Sequence, residues 1–344
     1  MNKLTEYILK DSQKIYKNID FRQLFGKHIL ITGASGMVGI YFLACLKHLS
    51  NDFPKSFTLT AIIHSDPSPY LKELVNYEGA NLVQGDLSNS IFCQSLPNID
   101  FVIHAAGYAQ PGRFLLNPEK TLKINTATIF ELFGKLVEDG TLLFVSSSEV
   151  YSGSPGGKYR EDQIGNSNTD HPRSCYIEGK RCGEAICNAY RSKGINAMSA
   201  RLSLAYGPGT KKGDKRALPS FVEKALKDKN IALQDEGKAI RTYCYVTDAV
   251  EHMWNILFRG TQCVYNVGGY SKISIAELAQ KIGGQLGVSV DVPSGKTDTL
   301  AGSPKDVSLD MKRAEEELGK KDYVSLDEGL SHTIGWYKEL YLKR

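Results

Sequence analysis

Ser147, Tyr176 and Lys180 are of the types and at the spacing that can make a general base. Tyr176 and Lys180 stand four apart in Cys175-Tyr-Ile-Glu-Gly-Lys-Arg181, so on a helix they share one face. A lysine ammonium beside a phenol favours the phenolate, which predicts a Tyr176 usable as a base near neutral pH. The hydroxyls of Ser146-Ser-Ser-Glu-Val-Tyr151 follow an apolar run at 141–145, a predicted strand, and so emerge where that strand ends. In open α/β sheets, ligands bind along that edge.

A base of this kind has to be held by a sheet, and the first half of the chain predicts one. Residues 27–32 are a short apolar run, Gly33-Ala-Ser-Gly36-Met-Val-Gly39 follows, and an apolar helical pattern begins at Ile40. Strand, glycine turn and helix in that order are the context of a dinucleotide-binding turn. Gly33, Ser35, Gly36, Met37, Val38 and Gly39 are its candidate ligands, because glycines let backbone N–H groups approach a pyrophosphate. A second predicted strand, 57–63, ends in His64-Ser65-Asp66 with no basic residue adjacent, which favours NAD over NADP. Asp86 and Leu87 end a third strand, where the carboxylate could reach an adenine amino group. A fourth, 101–104, runs into Ala105, Ala106 and Gly107, small enough to lie against a dinucleotide. His104 reads as structural, and Asn125 falls on a helical pattern beside the base. Alternating strands and helices with short turns predict a Rossmann-like α/β fold, a doubly wound parallel sheet.

The totals bound the rest. A net charge of +4 without a dense Lys/Arg block gives nucleic acid no footprint. Seven cysteines without a C-x-x-C pair read as free thiols in a reducing cytoplasm, with no metal centre. No apolar run is long enough to suggest export or a membrane span. Residues 1–26, with Leu4, Ile8 and Ile15 at helical spacing, predict a helical extension covering the domain. Residues 27–200 are the expected nucleotide-binding domain, with 240–262 returning to it. Residues 201–344 are mainly a smaller substrate-binding α/β lobe. Its basic loop, 211–216, makes Arg216 and Arg241 the natural phosphate ligands, because a guanidinium binds bidentately. Arg113 and Tyr206 complete the candidate substrate ligands, and Asp248 is expected to cap a helix.

With these residues in hand, the chain resembles the extended short-chain dehydrogenase/reductase family of nucleotide-sugar epimerases, dehydratases and decarboxylases. The likeness runs over about residues 27–340 and is marked by the three glycines, Asn125, Ser147, Tyr176, Lys180 and Tyr206-Gly-Pro208. Two stretches, 117–126 and 171–181, look most like UDP-glucuronate decarboxylases. Ser147-Ser148-Glu149 is similar to the triplet of those enzymes and of GDP-mannose 4,6-dehydratases. The resemblance implies NAD as cofactor, a nucleoside-diphosphate sugar as substrate and a 4-keto intermediate. It implies Tyr176 as base at the sugar 4-hydroxyl, Ser147 on the same oxygen, and Lys180 on the nicotinamide ribose. Ser148 and Glu149 would stand beside the sugar, Glu149 working at C5. A homodimer through paired helices is implied as well. Three positions depart from the pattern: the decarboxylases' arginine is Val307, with Lys305 two residues away, their asparagine before Gly-Pro is Leu204, and the dTDP-glucose dehydratases' Asp is Ser148. Decarboxylation or 4,6-dehydration leads this reading. A 4-epimerase and a non-catalytic NAD(P) sensor are the alternatives.

Overall fold

The computed structural model describes residues 1–155, 157–295 and 308–342, so Lys305 and Val307 lie outside the described residues. Its centre is a seven-stranded sheet made of β1 (His28–Thr32), β2 (Thr58–Ile63), β3 (Ala80–Gln84), β4 (Ile99–His104), β5 (Leu136–Ser147), β6 (Asn196–Leu202) and β7 (Val264–Val267). Their order is β7-β6-β5-β4-β1-β2-β3, and every pairing is parallel. Parallel strands covered on both faces read as continuous apolar runs, as Ile29, Leu30 and Ile31 of β1 do, all with no exposed surface. The predicted doubly wound α/β sheet is present. Chain order reverses between β1 and β4, and in such sheets the ligand crevice opens at the carboxyl ends beside that reversal.

Six helices matter to the site: α1 (Lys3–Asn18), α2 (Met37–Asp52), α3 (Pro118–Asn125), α4 (Ser174–Arg191), α5 (Val246–Arg259) and α6 (Leu326–Leu342). The N-terminal helix α1 is amphipathic and lays Leu4, Ile8 and Ile15 onto α2 and α5. Burial of such side chains is worth about 1.5–3 kcal/mol each. A polar bolt adds to this, because the Asp11 carboxylate accepts from the hydroxyls of Tyr41 and, at 2.8 Å, Tyr245.

A three-stranded sheet joins Ala205–Tyr206 in parallel to Ile240–Tyr245, which pairs antiparallel with Ser271–Ser274. Ser274 then caps the helix Ile275–Leu286, its hydroxyl and the Glu277 carboxylate satisfying each other's backbone N–H. Asp248 does not cap α5. The helix starts earlier, at Val246, and the buried Asp248 pairs with Lys320 at 3.1 Å and accepts the Val324 N–H at 2.9 Å.

Candidate active site

Ser147 is the last residue of β5, in register with Leu202 of β6. There the chain turns into the short 3-10 helix Ser148–Tyr151, and the Ser147 hydroxyl caps it by accepting the Glu149 N–H at 3.2 Å. Tyr176 and Lys180 lie in the first two turns of α4, both buried, on the face turned to β5. Lys180 donates to the Val145 carbonyl at 2.7 Å and lies 5.7 Å from the centre of the Tyr176 ring. The sequence-expected trio is therefore brought together, with Asn125 on the neighbouring α3. Asn125 is fully buried and donates to the Thr121 carbonyl at 2.7 Å, while its Oδ1 has no protein partner.

The protonation balance differs from the one the spacing predicts. Burial pushes the Tyr176 phenol up to about 12, and the nearby Glu149 charge adds to that. The Ser147 hydroxyl and the Arg173 and Arg216 guanidiniums pull the other way. Burial pulls the Lys180 amine down to about 7, opposed by Glu184, which weakens the ammonium that was to favour the phenolate.

Glu149, expected from the sequence as an acid/base group, stands two residues beyond Ser147. Burial raises its carboxyl, and Arg173, the Ser152 hydroxyl, His171 and Arg241 counter the shift. Arg173 pairs directly with the Glu149 carboxylate, and Ser152 donates to it at 3.4 Å. The Arg173 guanidinium also lies 5.7 Å from the Phe114 ring centre, and Phe114 stacks on Tyr176 at 4.9 Å with an interplanar angle of 10°. Arg173 and Phe114 were missed in the sequence. The available signal was an arginine one helical turn before Tyr176. Ser148 is half-buried beside Glu149.

Arg216 reaches this site, since its charge acts on Tyr176, and Asp214 holds it in a two-pronged pair with the closest contact at 2.7 Å. Arg241 is half-buried and its charge acts on Glu149. Arg113 is exposed, near Lys211. Tyr206 does not join them. It is 2% exposed, edge-on to Tyr243 and Tyr245, with its ring against Gly329 of α6, so it packs the core instead of facing a substrate.

The glycine turn fits a dinucleotide. Gly33 has φ +68°, and a Cβ there would stand 2.6 Å from the Ala105 carbonyl oxygen, so β1 and β4 end in a cradle only glycine lines. Gly36 precedes α2 without a side-chain cap, leaving the Met37 and Val38 amides at a helix N-terminus suited to a phosphate. Ala105, Ala106 and Gly107 follow β4. His104 locks this corner as a structural residue: Nε2 donates to the Ile124 carbonyl at 2.9 Å and Nδ1 accepts from Thr32 at 2.7 Å, while burial drops its pKa to about 4. Leu87 is buried after β3, where its carbonyl accepts the Thr128 hydroxyl at 2.7 Å. Burial pushes the Asp86 carboxyl up, but bonds from Lys120 and Ser88 outweigh it and hold it below the usual range. At the tip of β2, a cleft of about 290 Å³ is lined by Ser35, Asp66, Ser68 and Lys211, a basic residue brought there from the distant 211–216 loop. Gly33→Ala is expected to weaken NAD binding about tenfold or more, since about 1.4 kcal/mol of strain suffices. Calorimetric titration with NAD checks this.

Comparison with known proteins agrees with this geometry. A UDP-glucuronic acid decarboxylase of Xenopus tropicalis is 27% identical over 315 residues, covering 91% of this chain and 72% of that protein. One from Arabidopsis thaliana is 29% identical over 305 residues, covering 88% and 86%. Among solved structures, the dTDP-glucose 4,6-dehydratase of Streptomyces venezuelae with NAD bound superposes with a TM-score of 0.78 at 24% identity, over 91% of this chain and 97% of that one. The profile of the NAD dependent epimerase/dehydratase family matches residues 29–268. The chain belongs to the NAD dependent epimerase/dehydratase family.

Proposed function

We propose that the protein modifies a nucleoside-diphosphate sugar through a 4-keto intermediate, either decarboxylating a uronate in the manner of a UDP-glucuronate decarboxylase or removing water as a 4,6-dehydratase. NAD, when bound by the glycine turn of residues 33–39, would supply a reversible hydride acceptor. Tyr176, as the phenolate that the positive charge of bound NAD would favour against burial, takes the proton of the sugar 4-hydroxyl, and Ser147 hydrogen-bonds the same oxygen. Lys180 would hold the nicotinamide ribose, and Asn125 braces the pair from α3. Arg216 and Arg241 meet the substrate's pyrophosphate, with Arg113 at the rim. A 4-ketone acidifies C5, and Glu149 acts there as acid/base or orients a C6 carboxylate.

The observation that carries this reading is Glu149, half-buried with an arginine partner within electrostatic reach of Tyr176. Inverting C4 alone needs only Ser147, Tyr176 and Lys180. A second acid/base group beside the first is what elimination or decarboxylation requires. The curated relatives named above support the same reading.

In this proposal, residues 27–200 with 240–262 hold the cofactor and the later lobe closes over the sugar. Exposed Leu122 and Phe130 support a homodimer through paired helices, to be checked by sedimentation. Seven free thiols support a cytoplasmic location. The function is tested by incubating protein and NAD with UDP-, GDP-, dTDP- and CDP-sugars, followed by mass spectrometry. Loss of carbon dioxide or of water is expected. An unchanged mass with an altered sugar would assign a 4-epimerase instead, and no product at all would remove the enzymatic reading.

A further inference from the structure

We infer that Arg173 is the positioning residue of this site, fixing the Glu149 carboxylate as a base and linking it to the Tyr176 ring. The inference rests on the functional reading above for what Glu149 does, but its geometry stands without it. Arg173 precedes α4, where its backbone N–H donates to His171 Nδ1 at 3.1 Å, so the loop before α4 and the helix start are tied together. From there one side chain makes two contacts. Its Nη2 pairs with Glu149, 24 residues earlier on the 3-10 helix, and its guanidinium lies 5.7 Å from the ring centre of Phe114, which stacks on Tyr176. Its Nε is buried without a partner, so the guanidinium is held by these contacts and not by a full set of hydrogen bonds.

A half-buried carboxylate deprived of its arginine holds a proton more readily, because the charge that opposed its desolvation is gone. The groups facing Glu149 are Arg173, the Ser152 hydroxyl, His171, Arg241 and the Tyr176 phenol. Those facing Tyr176 are Ser147, Glu149, Arg173 and Arg216. Arg173 is on both lists, so its removal raises both acid/base groups together. The sign follows. Work that needs the carboxylate ionised is lost as pH falls through the Glu149 pKa, so raising that pKa moves the acid limb of the rate profile toward alkaline pH.

The test compares wild type, Arg173→Met and Arg173→Lys as NAD-loaded protein, with two readouts. One is direct titration of the Glu149 carboxyl by carbon-13 NMR of labelled glutamate, assigned with Glu149→Gln. The other is the pH profile of kcat and KM on the nucleotide sugar that the panel converts. Arg173→Met is expected to raise the Glu149 titration by about one unit or more. It should lower kcat at neutral pH about tenfold or more while KM moves less, with recovery on raising the pH. Arg173→Lys should restore most of the titration, since it returns the charge. A Glu149 titration unmoved in a folded Arg173→Met protein overturns the inference. A moved titration with an unmoved rate profile shows that Arg173 sets the Glu149 charge but overturns its positioning of a base and removes Glu149 from the chemistry, so the two failures are told apart.

Discussion

Replacing Tyr176 by phenylalanine is expected to lower turnover by about a hundred- to ten-thousand-fold, the usual contribution of a positioned proton-transfer group. The fold should not register the change. The aromatic ring keeps its stack on Phe114 at 4.9 Å, and only a hydroxyl is removed beside Ser147. Thermal midpoint and NAD binding should therefore stay close to wild type while product formation falls. Steady-state assays on the purified variant, with a melting curve on the same sample, check both halves. A folded variant with wild-type turnover would mean that the proton leaves by another residue.

The second large effect is on stability. Glu184, four residues after Lys180 on α4, is clamped by Arg201 of β6, with Nη2 to Oε2 at 2.8 Å and Nε to Oε1 at 3.0 Å, both side chains less than 10% exposed. Ser146 donates to the same carboxylate at 2.5 Å. Arg201 also reaches the Tyr151 hydroxyl at 2.8 Å and the carbonyls of Glu161 and Gln163, so one guanidinium fastens the loop after Ser147 to the sheet. Arg201→Met leaves a buried carboxylate without its counter-charge and is expected to cost about 3–5 kcal/mol. In a chain of this size, with an unfolding entropy of about 2.1 cal/mol/K per residue, that lowers the thermal midpoint by roughly 4–7 °C. Glu184→Leu with Arg201→Met together should recover much of the loss, because no uncompensated charge is left behind. Calorimetric melts of the single and double variants check this.

The sheet was legible because parallel strands buried on both faces leave short apolar runs, and Gly33, Gly36 and Gly39 marked where the first one turns. The Tyr176 and Lys180 pairing was legible for a similar reason, since a four-residue spacing survives any helix. What the sequence hid came from long-range contacts. Arg173 looked like one loop residue in a motif, yet its partner Glu149 belongs to another element. Lys180 was expected to tune Tyr176, but that expectation took no account of burial, which pulls the amine's pKa down and pushes the phenol's up. Tyr206 sits in a conspicuous Tyr-Gly-Pro motif, and only the packing of Gly329 against its ring shows that it faces the core. Asp248 lay three residues inside its helix, where its partner Lys320 was 72 positions away in sequence.

The central claim is that the sugar is oxidised at C4 and reduced again within one turnover, with Tyr176 as the base. Rapid mixing of the NAD-loaded protein with the nucleotide sugar it converts, followed by the absorbance of reduced nicotinamide, tests it most directly. The predicted result is a transient that rises and decays within a single turnover, rises more slowly with deuterium at C4, and is nearly abolished in Tyr176→Phe. Conversion of substrate with no transient and no effect of deuterium at C4 would contradict it.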